Sequence, residues 1–279
     1  MPSFTIVDAN QVEAPHLHAT FTAAFADYLI GPFALPLAQW PQFLARQGVD
    51  LAHSKVAVDA GEPVAFCLTA PRPELESWRL GTMGALPSVR GSGAARQLLD
   101  DFLARARAAG VGTVELECFA QNARALRLYQ SFGFREVDAL YGYEHVGAEG
   151  DGPSATPTQV DLPDAFDWLD ACSDAGFPLP LQVTPRSLRA LPVQLQAWRL
   201  GSAQLVFSQA DAAVQVHSLV DREPAQQDAR ELAGQLLAHA PGASIHVPQL
   251  QRHGVGGAAL ERAGFERLPL HQLWMRQSI

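Results

Sequence analysis

The sequence predicts an α/β (α+β) fold built as two similar halves in tandem, and three observations predict it. Between residues 80 and 134 an apolar run, a glycine-rich turn, a helix-period segment, an alternating segment and a second helical segment follow one another. The second half repeats this order without the glycine-rich turn, and Gly264-Phe265 echoes Gly133-Phe134 at an offset of roughly 131 positions. At 279 residues with 48% hydrophobic content, the chain is long enough to bury two cores.

The apolar run Leu80 to Leu86 reads as a strand. It leads into Leu86-Pro87-Ser88-Val89-Arg90-Gly91-Ser92-Gly93-Ala94-Ala95-Arg96, whose last residues open a helical pattern. Backbone N–H groups at a helix N-terminus attract anions, phosphate above all. Gly91 and Gly93 permit unusual dihedrals and keep side chains away from an anion that must touch the backbone, while Ala94 and Ala95 keep the first turn narrow. Arg90 adds a charge-assisted partner for the same anion. Ala95, Leu98, Leu99, Phe102, Leu103 and Ala106 then recur at helical spacing, and the helix is expected to end near Gly110. Val114, Leu116 and Cys118 alternate with Glu115 and Glu117 in a short strand, after which Asn122 caps a helix carrying Tyr129.

A dinucleotide-binding turn is the rival for the glycine loop. It requires Gly-x-Gly-x-x-Gly, but Arg96 stands where the third glycine belongs, and it predicts nothing about residues 122–134. The two segments together, Arg90-x-x-Gly93-x-Ala95 and Asn122-x-x-Ala125-x-x-Leu128-Tyr129 followed by Gly133-Phe134, resemble the GNAT superfamily of N-acetyltransferases. The resemblance implies, for each half, a mixed, mostly antiparallel central sheet flanked by helices. It also implies acetyl-coenzyme A as co-substrate, no metal, and direct transfer of the acetyl group to a primary amine of a small molecule or peptide.

On that resemblance the pantetheine arm lies between the strand ending near Leu86 and the strand Val114 to Phe119, held by backbone groups of Gly84, Ala85 and Leu86. The phosphates fall to Arg90, Gly91, Ser92, Gly93, Ala94 and Ala95, with Asn122 and Tyr129 as further coenzyme contacts. Tyr129 is the candidate general acid for the leaving thiolate; its alternative is packing against Phe132 and Phe134. Glu115 and Glu117 are candidate bases, as is Glu76; the alternative for the first two is a solvated strand face. Tyr28, Phe33 and Trp40, with Tyr141 and Tyr143, are candidate acceptor walls or core residues.

In the second half, residues 226–240 form a helical pattern, residues 244–247 a strand, and residues 196–217 a meander. Arg90 maps near Asp221, Gly93 on Pro224, Ala95 on Gln226 and Asn122 on His253. Proline lacks the N–H a phosphate needs, so this half is expected to keep its core without the coenzyme. The cluster Gly254-x-Gly256-Gly257 reads as a shortened helix start, with an anion site as its alternative. The expected organisation is a catalytic domain over residues 1–146, a linker over 147–157 rich in glycine, proline and serine, and a degenerate domain over 158–279.

A net charge of −9 with no long basic run argues against nucleic acid as a partner and favours a cationic acceptor. No stretch of about 18 apolar residues is present, so no membrane span is expected. Cys67, Cys118 and Cys172, odd in number and widely spaced, read as buried reduced thiols, which fits the cytoplasm. His16-x-His18 lacks a third metal ligand and reads as a helix entry. The competing reading of function is a non-catalytic acyl-coenzyme A-binding module serving regulation or assembly. The oligomeric state and the acceptor's identity are not written in the sequence.

Overall fold

A computed structural model describes residues 4–146 and 156–279; most of the expected linker, residues 147–155, lies outside the described residues. The chain forms two compact units, Met1–Val137 with Trp274–Ile279, and Asp138–Leu273. Among the described residues, no helix is long and apolar enough to cross a membrane.

The elements of the first unit are β1 (Thr5–Asp8), α1 (Ala14–Ala24), α2 (Trp40–Arg46), β2 (Asp50–Asp59), β3 (Glu62–Arg72), β4 (Ser77–Ala85), α3 (Ala94–Ala108), β5 (Thr113–Phe119) and α4 (Ala123–Ser131). Its sheet runs β1-β2-β3-β4-β5; the first four strands pair antiparallel, whereas β4 and β5 are parallel. β3 reads as a continuous apolar run, Val64 to Leu68, because it is covered on both faces. Phe66 and Leu68 pack with Leu17, Phe21, Trp40 and Leu44 of α1 and α2. Cys67, pointing the other way, feels the charges of Arg105 and Asp101 on α3, and burial lifts its thiol to about 12.

The helix expected to end near Gly110 does so: α3 stops at Ala108 and Gly110 takes φ +71°. His16 and His18 lie in α1, where His18 Nε2 is 2.6 Å from Leu35 O. The three cysteines are buried and unpaired.

The second unit contains part of β6 (Arg135–Val146) from Asp138 onward, then β7 (Thr158–Val160), α5 (Leu162–Asp174), α6 (Pro185–Arg189), β8 (Leu195–Leu200), β9 (Ala203–Ala210), β10 (Ala213–Asp221), α7 (Gln227–His239), β11 (Ser244–Arg252), α8 (Gly257–Arg262) and β12 (Glu266–Ser278) as far as Leu273. The meander, helix and strand expected here are β8, β9, β10, α7 and β11, and β10 pairs parallel with β11 as β4 does with β5. One face of the sheet packs on Leu232, Leu236 and Leu260 of α7 and α8. The other packs on Phe166 and Leu169 of α5 and Leu188 of α6.

The division does not follow one cut in the chain. The last six residues belong to the first unit, where Trp274 is fully buried and its Nε1–H donates to Glu115 Oε2 at 3.1 Å. Trp274→Phe keeps an aromatic ring and removes that donor from a buried carboxylate. The expected loss is about 1–3 kcal/mol, read as a lower denaturant midpoint with an unchanged slope. An unchanged midpoint would show that Glu115 does not need the indole.

Candidate functional site

Parallel pairing of β4 and β5 runs from Ser77↔Thr113 to Leu80↔Leu116 and then stops, although β4 continues to Ala85 and β5 to Phe119. Beyond that point the β5-facing edge of β4 has no strand partner, and backbone amides there remain to be satisfied. A cleft of about 450 Å³ opens nearby, lined by the end of α1, the last residues of β4, the glycine loop and α4.

The loop is shaped by its glycines. Gly91 takes φ +87° and Gly93 φ +101°, a region costly for residues with a Cβ. Gly93 is the N-cap of α3, and the first helical N–H bond is Gln97 N to Gly93 O at 2.9 Å. The N–H groups of Ala94, Ala95 and Arg96 precede it and so have no intrahelical acceptor. Gly84 is set by packing instead: a Cβ there would come 2.6 Å from the Phe66 ring and 3.1 Å from Ala24 Cβ.

Of the residues expected to bind coenzyme, Gly84, Ala85, Arg90, Gly91, Gly93, Ala94, Ala95, Asn122 and Tyr129 line this one cleft. Leu86 and Ser92 do not line it. The Leu86 N–H donates to Val64 O at 2.9 Å, and the Ser92 hydroxyl donates to Val89 O at 2.6 Å, so both stabilise the loop. Arg90 grips Asp27 with two bonds of 2.5 and 2.6 Å and also donates to Ala24 O, tying the loop to the end of α1. Those bonds hold the Asp27 carboxyl below the usual carboxylate range. Asn122 caps α4, its Oδ1 accepting from Ala125 N at 3.2 Å.

Tyr129 lies against Phe134, ring centroids 6.0 Å apart, and also faces the cleft. Burial pushes its phenol well above the ordinary value, and Cys118, Cys67 and Tyr28 add to the shift. Tyr28, also lining the cleft, is raised to about 12, burial outweighing a hydrogen bond with Asn122.

Glu115 and Glu117 do not line the cleft, and neither forms a solvated face. Glu115 is buried against Arg72, Trp274 and Arg276, and Glu117 against Arg79, each carboxylate side chain 1–2% exposed. Both lie inside the sheet's packing, where a carboxylate is stable only when paired. Glu76 sits in the turn before β4 with φ +46°. Phe33 and Trp40 belong to the aromatic core around Phe21. Tyr141 and Tyr143 are in the second unit, where Tyr143 donates to Glu261 at 3.3 Å.

Arg96 and Arg124 also line the cleft, with Phe25, Leu29, Met83 and Leu128; sequence reasoning passed over them. The position of Arg124, two residues after the cap of α4, was the available signal, since a first-turn side chain there reaches the loop. The Arg124 guanidinium lies 4.0 Å from a Cβ built on Gly91. The acidic net charge of the chain is thus reversed locally, with three arginines and one aspartate around the cleft. A helix N-terminus, positive-φ glycines and these arginines fit a phosphate-bearing ligand.

The acetyltransferase (GNAT) family pattern matches residues 16–134, which span α1 through α4 and include every cleft-lining residue. Over this segment the chain is similar to the acetyltransferase (GNAT) family. Similar folds recur in solved structures. A GCN5-related N-acetyltransferase from Sphaerobacter thermophilus superposes with a TM-score of 0.65 at 14% identity, covering 100% of this chain and 96% of that one. A Pyrococcus horikoshii protein described as an acetyltransferase gives 0.68 at 14% identity, covering 100% and 90%. A GCN5-related N-acetyltransferase from Anabaena variabilis gives 0.66 at 13%, covering 99% and 73%. At such identities the likeness concerns the fold. No curated protein matches the chain.

The second unit fills the corresponding gap with its own side chains. Asp221 accepts from Ser202 Oγ at 2.7 Å, Glu223 N at 2.9 Å and Ala229 N, in the first turn of α7, at 3.0 Å. Its carboxylate therefore takes the place of an external anion at that helix start. Gln251 Nε2 donates to Leu219 O at 3.0 Å, bridging β10 and β11, and Gln226 bonds His253 O and Ala259 N. Gly256 and Gly257 are close-packed, since a Cβ would lie 2.6 Å from Leu219 O or from the Tyr143 hydroxyl, whereas a Cβ on Gly254 meets nothing within 4 Å; the last two glycines of the cluster serve packing. Asp221→Ala leaves the Glu223 and Ala229 amides without this acceptor, while the Ser202 hydroxyl keeps Asp228 Oδ2 at 3.0 Å, and is expected to cost about 2–3 kcal/mol. Inorganic phosphate should raise the variant's Tm but not the wild type's; no phosphate effect would show that the pocket is not anion-selective.

Proposed function

We propose that the first unit transfers the acetyl group of acetyl-coenzyme A directly to a primary amine of a small molecule or peptide. The carrying observation is the convergence on one cleft of the glycine loop, its flanking arginines, the unpaired edge of β4 and Tyr129. Ala94, Ala95 and Arg96 offer N–H groups, and Arg90, Arg96 and Arg124 offer charge, to the coenzyme phosphates. The free edge of β4 around Gly84 and Ala85 receives the pantetheine amides and polarises the thioester carbonyl.

The amine nitrogen attacks the thioester carbon, the C–N bond forms, and the C–S bond breaks with its electron pair moving to sulfur. Nitrogen loses its proton to water. Tyr129, which burial keeps protonated, donates a hydrogen bond to the departing sulfur. Because a thiol has a pKa of about 8.5, full proton transfer from so weak an acid is uphill, and hydrogen-bond donation is the productive role. Glu115 and Glu117 hold the sheet together and do not act as bases. No metal enters this scheme.

In this reading, coenzyme chemistry belongs to the first unit, and the second unit is a degenerate copy without a coenzyme site. Three buried unpaired thiols support a reducing, cytoplasmic setting. The test is to mix the full chain with acetyl-coenzyme A, a thiol reagent and a panel of amines. Acceptor-dependent thiol release is expected; saturable coenzyme binding with no release would make the chain a binding module instead.

A further inference from the structure

We propose that the acceptor is a weakly basic primary amine on an apolar body, with a conjugate acid near pKa 8, as in the α-amine of an apolar residue. The inference rests on the acetyl-transfer reading above and narrows its substrate.

Two features of the cleft carry it. Part of the lining is apolar: Phe25, Tyr28 and Leu29, which follow α1, and Met83 of β4. Leu29 is 46% exposed and Ile30 52%, so the apolar lining continues onto the rim. Such a wall rewards an apolar body and gives a polyamine little to hold.

The second feature is charge. Among the described residues lining the cleft, Asp27 is the one carboxylate, and Arg90 occupies both its oxygens. The other ionisable groups facing the cleft are Arg96 on α3, Arg124 and Tyr129 on α4, and Tyr28 at the end of α1; Cys118, close to Tyr129 on β5, is raised to about 12 by burial. Both tyrosines are held neutral, so no side chain there is poised to accept a proton near neutral pH. Glu115 and Glu117 are bound to arginines outside the cleft. An arriving ammonium therefore meets desolvation with no unengaged carboxylate among the described cleft-lining residues to offset it, which favours its neutral form.

The reacting species is then the amine already deprotonated in water. Its lone pair attacks the thioester carbon, the C–S electron pair goes to sulfur, and the remaining surplus proton leaves nitrogen for solvent. At pH 7 an α-amine of pKa about 8 is roughly 10% neutral, whereas a lysine amine of about 10.4 is roughly 0.04% neutral. The difference is roughly 250-fold in reactive species before any contact is made.

The test uses the full chain with saturating acetyl-coenzyme A and follows thiol release at pH 7. Phenylalanine amide is compared with phenethylamine, which keeps the ring on an amine about two pH units more basic, with glycine amide, which keeps the amine without the body, and with spermidine. Phenylalanine amide is expected to exceed phenethylamine in kcat/KM by about 10- to 100-fold, a gap that closes as pH rises towards 10. It should exceed glycine amide by about tenfold or more, with spermidine slowest. Leu29→Glu supplies the missing carboxylate and should raise the spermidine to phenylalanine amide ratio by about tenfold. Spermidine or phenethylamine matching phenylalanine amide at pH 7, glycine amide matching it, or an unchanged ratio in Leu29→Glu overturns this proposal while acetyl transfer stands. Coenzyme binding without thiol release from any amine overturns both.

Discussion

Replacing Tyr129 by phenylalanine is expected to lower turnover by roughly 10²- to 10³-fold while acetyl-coenzyme A affinity changes by less than about tenfold. The ring keeps its contact with Phe134, so the core loses little, and only the hydroxyl facing the cleft is removed. Coenzyme affinity comes from the loop amides, the arginines and the edge of β4, none of which the substitution touches. Burial holds the phenol's proton well beyond pH 10, so Tyr129 contributes no ionisation limb to the pH–rate profile below that value. The measurement is kcat under conditions where chemistry limits the rate, because a slow product release would hide the effect. Wild-type turnover in Tyr129→Phe under those conditions would leave the leaving thiolate to water or another group, with acetyl transfer intact.

Gly93→Asp is expected to weaken acetyl-coenzyme A binding by about 100-fold or more, more than it lowers stability. Two effects combine. The first is backbone strain at φ +101°, worth about 1–2 kcal/mol for a residue with a Cβ and less for aspartate, which tolerates the left-handed region better than most. The second is a carboxylate beside the N–H groups offered to the phosphates, where like charges repel and the helix dipole is spent on the side chain. Space is not the obstacle, since a Cβ on Gly93 meets nothing within 4 Å. Gly93→Ala separates the effects: it carries the strain without the charge and should lose stability comparably while retaining most of the affinity. Titration calorimetry at fixed ionic strength together with thermal unfolding reads both quantities. Equal coenzyme affinity in wild type and Gly93→Asp would remove the phosphate role from this loop.

Legibility followed the range of the interaction. The glycine loop, the cap at Asn122, the boundaries of α3, α4 and α7 and the repeated order of elements were readable because each depends on residues a few positions apart. The carboxylates of β5 were not. Alternation with Val114, Leu116 and Cys118 suggested a wet face for Glu115 and Glu117, yet both are buried. Their partners stand far away in sequence: Arg72 is 43 residues from Glu115, Trp274 is 159, and Arg79 is 38 from Glu117. No local period encodes a buried ion pair of that separation. Nor could the acidic composition indicate a cleft whose charged lining residues are mostly arginine, because net charge sums over the whole surface while a site collects a few residues.

By itself the sequence determined a glycine-shaped helix start, since Gly91 and Gly93 take positive φ immediately before α3 and lie beside it in sequence. It also determined that the second half carries no such glycine pair ahead of its helix, where Pro224 stands instead. Tertiary structure alone decided which side chains share the cleft, that Arg90 is held by Asp27, that Asp221 supplies an internal anion to α7, and that the last six residues complete the first unit. Backbone dihedrals and helix starts are short-range properties, whereas pairing of distant strands and charges is settled only by the packing that removes them from water.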